Sequence, residues 1–223
     1  WIYESKNEKA EATSDKSEGE NPSGDGKFNA TTSSKENTGA IARVNGNLTT
    51  TNDINLNAKT VLKGVNNDGN LTDTLAFDNL SVAVGGVAVG VGVKLIDFSN
   101  STDAEITGGN IKADGNININ SESVNDVKVT NEQFSAAAGS ISGAVGIYDN
   151  KALTNSKITN ADVNAKNVNI NAKSSNKADI SSESETLALA NINVSIAKVI
   201  DKNVTNAVVT GNTDITADNL NLH

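Results

Sequence analysis

Several residue types that ordinary globular cores use are scarce or missing in this 223-residue chain. It has no cysteine and no methionine, and aromatic residues make up 3% of it. The absence of cysteine excludes disulfides, thiolate chemistry and cysteine-based zinc sites. The apolar residues that remain are chiefly Val, Ile, Leu and Ala, which suit thin, flat layers rather than a wide core. Composition therefore favours a thin, all-β core.

Positive charge is also in short supply. The formal net charge is -9, and Arg43 is the only arginine. Non-specific nucleic-acid binding needs clustered Lys and Arg, so we expect no nucleic-acid partner. The most apolar run, residues 80–96, is interrupted by four glycines, and we expect no transmembrane segment. Because the chain lacks an initiator Met and a signal-peptide pattern, we interpret it as a fragment of a longer protein.

A repeat of about 52 residues is the strongest pattern in the chain. Residues 93–97, 145–149 and 197–201 share an ending in aspartate, and these aspartates follow one another at the interval of the repeat. Each is followed by a short polar loop and a threonine, and later by a dyad in which asparagine separates two aliphatic residues. The threonines are Thr102, Thr154 and Thr205, and the dyads are residues 54–56, 117–119, 168–170 and 220–222.

Two stretches interrupt this repeat. Residues 5–39 are rich in Glu, Lys, Ser, Asn and Gly and contain the single proline, so they cannot bury enough apolar area to order themselves. We predict a low-complexity, flexible loop insertion there, and a second, smaller insertion within residues 63–74. The predicted organisation is the end of a truncated upstream unit (1–4), the loop (5–39), and repeats over 40–223 in units of roughly 40–97, 98–149, 150–201 and a partial 202–223.

The alternation of apolar and polar residues in the dyads is typical of half-buried strands. Corners are predicted at residues 113–115, 165–167 and 217–219, because Asn, Asp and Gly tolerate the left-handed backbone that a sharp corner needs. We predict an all-β fold, a right-handed parallel β-helix (solenoid) with two to three coils per repeat unit. The alternative is that the Val/Gly run at residues 82–93 forms an antiparallel hairpin packed on the flank of the helix.

A family resemblance is carried by the pattern that begins at Gly139 and continues through residues 147–151, 156–158, 162–163 and 168–172. It resembles the passenger repeats of large filamentous-haemagglutinin-type bacterial proteins, in particular the leukotoxin-like filamentous adhesins of fusobacteria. The resemblance extends over most of the repeat region. It implies an extracellular protein, at the bacterial cell surface or secreted across the outer membrane by a type V route, either two-partner secretion or an autotransporter.

We predict no catalytic, cofactor-binding or metal-ligating residue, and hence no enzyme and no cofactor. Asp97, Asp149 and Asp201 occupy one position in three units, so we expect turn residues spread far apart along a ridge rather than a catalytic cleft. His223 is the single histidine, and Arg43 stands alone; both are interpreted as surface residues. Calcium could be considered at the oxygen-rich residues 66–70 and 114–116, but corner turns explain those residues more simply.

Three functions remain open at this point. The chain could be a structural stalk, since stacked repeats add length. It could instead be an adhesive surface, with the loop or rows of exposed Asn and Thr contacting a host-cell receptor, matrix protein or glycan. The third is a toxin segment that engages leukocyte membranes. A polysaccharide-degrading β-helix enzyme is the alternative to the prediction of no enzyme. In each case the neighbouring repeats of the same parent chain are expected partners.

Overall fold

A computed structural model describes residues 27–62 and 75–223 of the chain. All regular structure in these residues is β, and the strands belong to one sheet whose pairings are parallel. The strands are β1 (Lys27–Val44), β2 (Leu48–Thr50), β3 (Ile54–Leu62), β4 (Leu75–Ala113), β5 (Asn116–Asn164), β6 (Asn167–Asp201), β7 (Val204–Thr210), β8 (Asp214–Thr216) and β9 (Asn219–Leu222). The prediction of an all-β fold is confirmed.

Each residue pairs with the equivalent residue of the next repeat unit. Val93 lies opposite Val145, and Ile117 lies opposite Val168, so the partners are separated by one full repeat along the chain. One unit therefore forms one layer, and the expectation of two to three coils per unit is wrong. The alternative of an antiparallel hairpin is also wrong, because the described part of the Val/Gly run in β4 pairs in parallel with β5.

Within one unit the chain runs outward and back as two facing arms. In β5 the odd-numbered residues are buried up to Ser135, and from Ser140 to Ile158 burial shifts mainly to the even-numbered residues, so the burial pattern reverses at residues 136–139. The hydroxyl groups of Ser135 and Ser140 are hydrogen-bonded to each other beside this reversal, with their oxygens 2.6 Å apart. Residues 116–135 are called the first arm and residues 140–158 the second arm, and the equivalent residues of other units take the same names. The interior of the protein lies between the two arms.

The interior alternates between apolar and polar zones. The end away from the reversal holds a cluster of Ile, Val, Leu and Ala, and a second apolar cluster lies halfway along the arms. Polar residues fill the space between and beyond these clusters, and they hydrogen-bond across the arms, as Ser121 does with Ser156 at 2.8 Å. A thin space between two strands needs few bulky residues, which agrees with the low aromatic content, and Phe98 and Tyr148 fill the second cluster.

The predicted corners are confirmed in position, because the strands break at residues 114–115, 165–166 and 217–218. The left-handed backbone expected there is absent, since none of these described residues has a positive φ. At the first of these corners the backbone N–H of Asn116 donates to the Asp53 carboxylate at 2.7 Å, so one layer stabilises the turn of the next. A further corner needs glycine, at Gly46 before β2 in one layer and at Gly109 within β4 in the next. Gly109 has a φ of 89°, and a side chain on it would collide with the backbone of Gly46.

The predicted loop insertion at 5–39 is wrong over residues 27–39. These residues belong to β1 and pair with residues 89–101 of β4. Their polar composition does not indicate a strand. The strand forms because its backbone is hydrogen-bonded to the neighbouring unit, which does not require apolar residues within the strand itself. Residues 1–4 and 5–26 lie outside the described residues.

The second predicted insertion, residues 63–74, lies outside the described residues as well. The register on its two flanks aligns Leu62 with Asn125 and Leu75 with Val127. The first unit therefore has residues 63–74 where the next unit has Asp126 alone, which agrees with the position at which the repeat is lengthened in the sequence.

Limited proteolysis tests the revised start of the folded region. We expect trypsin to cut the native chain after Lys16, whose neighbours in the sequence are polar and low in complexity, and to spare Lys35, which lies in β1 opposite Asp97. Mass spectrometry of the early fragments identifies the cleavage sites. Cleavage after Lys35 as fast as after Lys16 would contradict the pairing of β1 with β4.

Candidate interaction surfaces

Asparagine side chains form continuous hydrogen-bonded rows on the outer surface. Asn118 donates to Asn55, Asn169 donates to Asn118, and Asn221 donates to Asn169, each at 2.8 Å. The register places asparagine on asparagine, and an amide can stack on its own kind because it carries both a donor and an acceptor. A parallel row joins Asn116, Asn167 and Asn219. Each amide keeps a second N–H and a second lone pair for an outside partner.

A row of alternating charges also forms by stacking of equivalent positions in successive layers. Glu105, whose side chain is only 2% exposed, lies between Arg43 of the preceding unit and Lys157 of the following one. The Lys157 Nζ is 2.6 Å from its carboxylate, and Arg43 contacts the same carboxylate. Burial on its own raises the pKa of Glu105, but the hydrogen bonds and charges of Lys157 and Arg43 outweigh it, so the pKa lies below its ordinary value of 4.5.

Sequence reasoning missed this row, although a signal for it was present. Aligning residues 42–44 with 104–106 and 156–158 places Arg43, Glu105 and Lys157 at one position with alternating charge. Reading the charge along that column would have predicted the row. Arg43 lies at the surface, as interpreted, but it does not stand alone, because it is paired with Glu105.

Asp97 and Asp149 lie at equivalent positions, as predicted, but they are not far apart. Because one unit is one layer, a single ammonium reaches both carboxylates: Lys151 Nζ is 3.0 Å from Asp97 and 3.2 Å from Asp149. The hydrogen bonds to the two carboxylates raise the pKa of Lys151. Lys202 lies 3.5 Å from Asp149 on its other side. The arrangement is a surface row of ion pairs in which each aspartate faces a lysine.

Asp201 departs from this row. Its pairing partner is Asn150, and Ile200 takes the place opposite Asp149. The shift arises at the corner between β5 and β6, where the register shortens by a single position, from Lys112 opposite Asn164 to Asn116 opposite Asn167. The expectation that the three aspartates occupy one position is therefore wrong for Asp201.

Burial, with a contribution from the charge of Asp201, raises the pKa of the Tyr148 phenol.

The remaining candidates lie apart from one another. The backbone of His223 pairs with Ile170 and Ala172 at the last layer. The Asn116 side chain accepts a hydrogen bond from Asn167, and residues 66–70 lie outside the described residues. In the described ranges, no group of three or more His, Asp or Glu side chains could hold a metal ion. The described part of the chain also has no helix long and apolar enough to cross a membrane.

The Val/Gly run has small or apolar residues on both of its faces, as its sequence indicates. Ala83 and Ala88 point into the interior and are buried, whereas Val84 and Val87 are exposed on the outside. No residue of the described chain covers these two valines to the point of burial.

Comparison with known proteins gives no further guide to a site. No protein-family model, curated protein sequence or solved structure matches this chain.

The buried carboxylate of Glu105 makes stability depend on pH. Because its pKa is lowered in the folded protein, its contribution is fully present above pH 4.5 and is lost as the pH falls through the folded-state pKa. We expect Glu105→Gln to cost about 2 kcal/mol at pH 7, since two cations lose their partner. Urea unfolding between pH 3 and pH 7 should show the difference from the unmodified chain shrinking in acid.

Glu122→Gln is the matched control, because Glu122 forms a 2.6 Å ion pair with Lys59 in which both side chains are more exposed. It should cost less than about 1 kcal/mol. Equal effects of the two substitutions, or a Glu105→Gln difference that stays constant down to pH 3, would contradict the role given to Glu105.

Proposed function

We propose that this chain is a section of a β-solenoid stalk from a large extracellular filamentous adhesin of bacteria. In this proposal the chain has a structural role and no catalytic one, and it acts by extending the parent protein away from the cell. The observation that carries the proposal is the pairing of each unit with the next, residue by residue, at the interval of the sequence repeat. Such a stack grows by one layer for every unit added. The proposal also includes a right-handed turn of the solenoid, and the resemblance to filamentous-haemagglutinin-type repeats supports the assignment to an adhesin.

Three features of the rows support a stalk. The asparagine rows, the Arg43–Glu105–Lys157 row and the Lys151 ion pairs all join one layer to the next. Each of them resists sliding of one unit along another, because a slip of one residue would turn side chains to the opposite face. Both aspartates of the surface row face lysines, which supports a stabilising role for them rather than a catalytic one.

An adhesive role is the second candidate, and the asparagine rows favour it. Amides repeat along the stack at the layer spacing of about 4.8 Å, each with a free N–H and a free lone pair. Hydroxyl-rich glycans hydrogen-bond to groups of this kind. The leukocyte-toxin alternative has the resemblance as its support, together with the exposed apolar residues of the Val/Gly run.

Chain extension tests the stalk directly. Residues 87–189 form a block of two units, and repeating this block keeps Glu105 between lysines and Asp97 beside Lys151. We expect four added blocks, or eight layers, to lengthen the particle by about 38 Å along one axis in electron microscopy, with its other dimensions unchanged. Growth as separate globules would contradict the stalk, whereas two to three times this lengthening would contradict one layer per unit.

The same preparations distinguish the adhesive alternative. In flow cytometry on leukocytes and epithelial cells, the stalk proposal expects no saturable binding of the labelled chain. Saturable binding that grows with added blocks and disappears when Asn118 and Asn169 are replaced by Ala would assign function to the asparagine rows instead.

A further inference from the structure

The interior between the two apolar clusters contains buried oxygen atoms that lack a hydrogen-bond partner. Asn100, Asn125, Asn150 and Thr154 lie in this polar zone, and each is at most 3% exposed. Within the described residues, the Oδ1 atoms of the three asparagines and the Oγ1 of Thr154 form no hydrogen bond. A buried polar atom without a partner is costly, so these four oxygens require one.

The four side chains surround Ala152. Asn150 and Thr154 are the neighbouring inward residues on the same strand, and Asn100 is the residue paired with Ala152 in the preceding layer. The fourth, Asn125, belongs to the first arm of the same layer.

Asn125 faces Ala152 across the interior. The hydrogen bond of 2.8 Å between Ser121 and Ser156 fixes which residues of the two arms meet. Asn125 lies four residues further along the first arm, and Ala152 lies four residues back along the second arm. Since the two arms run in opposite directions, these two residues oppose each other. Ala152 therefore has unpartnered oxygens beside it on its own strand, on the facing arm and in the preceding layer.

Alanine leaves room at this position. Asn100 precedes Ala152 in the stack, and Asn203 follows it and accepts a hydrogen bond from the backbone N–H of Ala152 at 3.0 Å. The row is thus asparagine, alanine, asparagine, and its middle member is shorter by an amide group. The space of an amide group is enough for a water molecule.

The amide N–H groups are used on the side away from the preceding layer. Asn125 donates to Asn176 at 2.6 Å and Asn150 donates to Asn203 at 3.0 Å, and both acceptors lie in the following layer. An amide carries its oxygen and its nitrogen on opposite sides, so these two oxygens face the preceding layer. The residues paired with them in that layer offer no donor, since they are Leu62 and Phe98.

We propose that the space beside Ala152 binds buried water. A water molecule donates two hydrogen bonds, which the amide oxygens of Asn100, Asn125 and Asn150 can accept, and it accepts one in return from the Thr154 hydroxyl. Buried waters typically make about three hydrogen bonds to groups of this kind. The water joins Asn100 of one layer to the asparagines of the next, so it continues the stacking where the row of side chains is interrupted.

Water fits this site better than a metal ion does. The four oxygens are uncharged, and a cation taken out of bulk water needs a negative partner. The carboxylate of Asp201 is 3.4 Å from the Nδ2 of Asn150, which is the opposite end of that amide from the unpartnered oxygen.

Nuclear magnetic resonance with methyl-labelled alanine tests the proposal. The Ala152 methyl should show an Overhauser cross-peak to water, with the sign that a long-lived bound molecule gives. Ala104 is the matched control, because it is also a buried inward residue of the second arm but lies in an apolar cluster, and it should show none. The cross-peak should persist in Thr154→Val, which removes a hydroxyl that could exchange its proton with solvent.

Thermal melting of two variants gives a second test. Ala152→Asn places an amide between Asn100 and Asn203 where the water is bound, whereas Ala152→Val fills the space without a hydrogen bond. The asparagine variant should therefore melt at a higher temperature than the valine variant.

Three results would overturn the proposal. One is the absence of a water cross-peak at Ala152 in the folded chain, or its loss in Thr154→Val. Another is a higher melting temperature for Ala152→Val than for Ala152→Asn. The third is a melting temperature that rises with added calcium or potassium chloride in the unmodified chain but not in Ala152→Asn, which would assign the oxygens to a cation.

Discussion

Parallel hydrogen bonding between each residue and its equivalent one unit later is the constraint on which the rest of this structure depends. It places every side chain about 4.8 Å from the side chains at the same position in the neighbouring layers. Each residue must therefore make a favourable contact with the equivalent residue of the preceding layer and with that of the following layer. Asn118 can do so because an amide both donates and accepts, and Glu105 can do so because its neighbours are Arg43 and Lys157. The surface rows and the choice of residues in them both follow from this register.

The same register explains how so thin an interior can be stable with few aromatic residues, of which Phe98 and Tyr148 are buried in the second apolar cluster. The two arms enclose one layer of side chains, in which apolar clusters are separated by serine, threonine and asparagine. Buried polar groups are tolerated where they find partners, and the repeat supplies partners both across the arms and along the stack. Ser121 with Ser156 is a pair across the arms, and Asn125 with Asn176 is a pair along the stack.

Much of the fold could be predicted from the sequence because the repeat is recognisable in the sequence itself. The pairings of Thr102 with Thr154 and of residues 117–119 with 168–170 were predictable, since equivalent residues recur at a fixed interval. The number of layers per unit was not, because a period does not say how often the chain turns within it. The displacement of Asp201 has a signal in the sequence, because Ile117 to Val168 and Thr154 to Thr205 share one interval and the interval from Asp149 to Asp201 is one residue longer.

A cross-linking experiment tests the central claim, that one unit forms one layer. Because the chain has no cysteine, a pair introduced at Asn118 and Asn169 reports on that contact alone. Register partners in adjacent strands lie within the Cα separation of about 4.4 to 6.8 Å that a disulfide requires, whereas a pair at Asn118 and Asn171 lies beyond it. We predict rapid oxidation of the first pair in the native protein and little of the second. Failure of the 118–169 pair to cross-link, as expected if two or three layers separated these residues, would contradict the account.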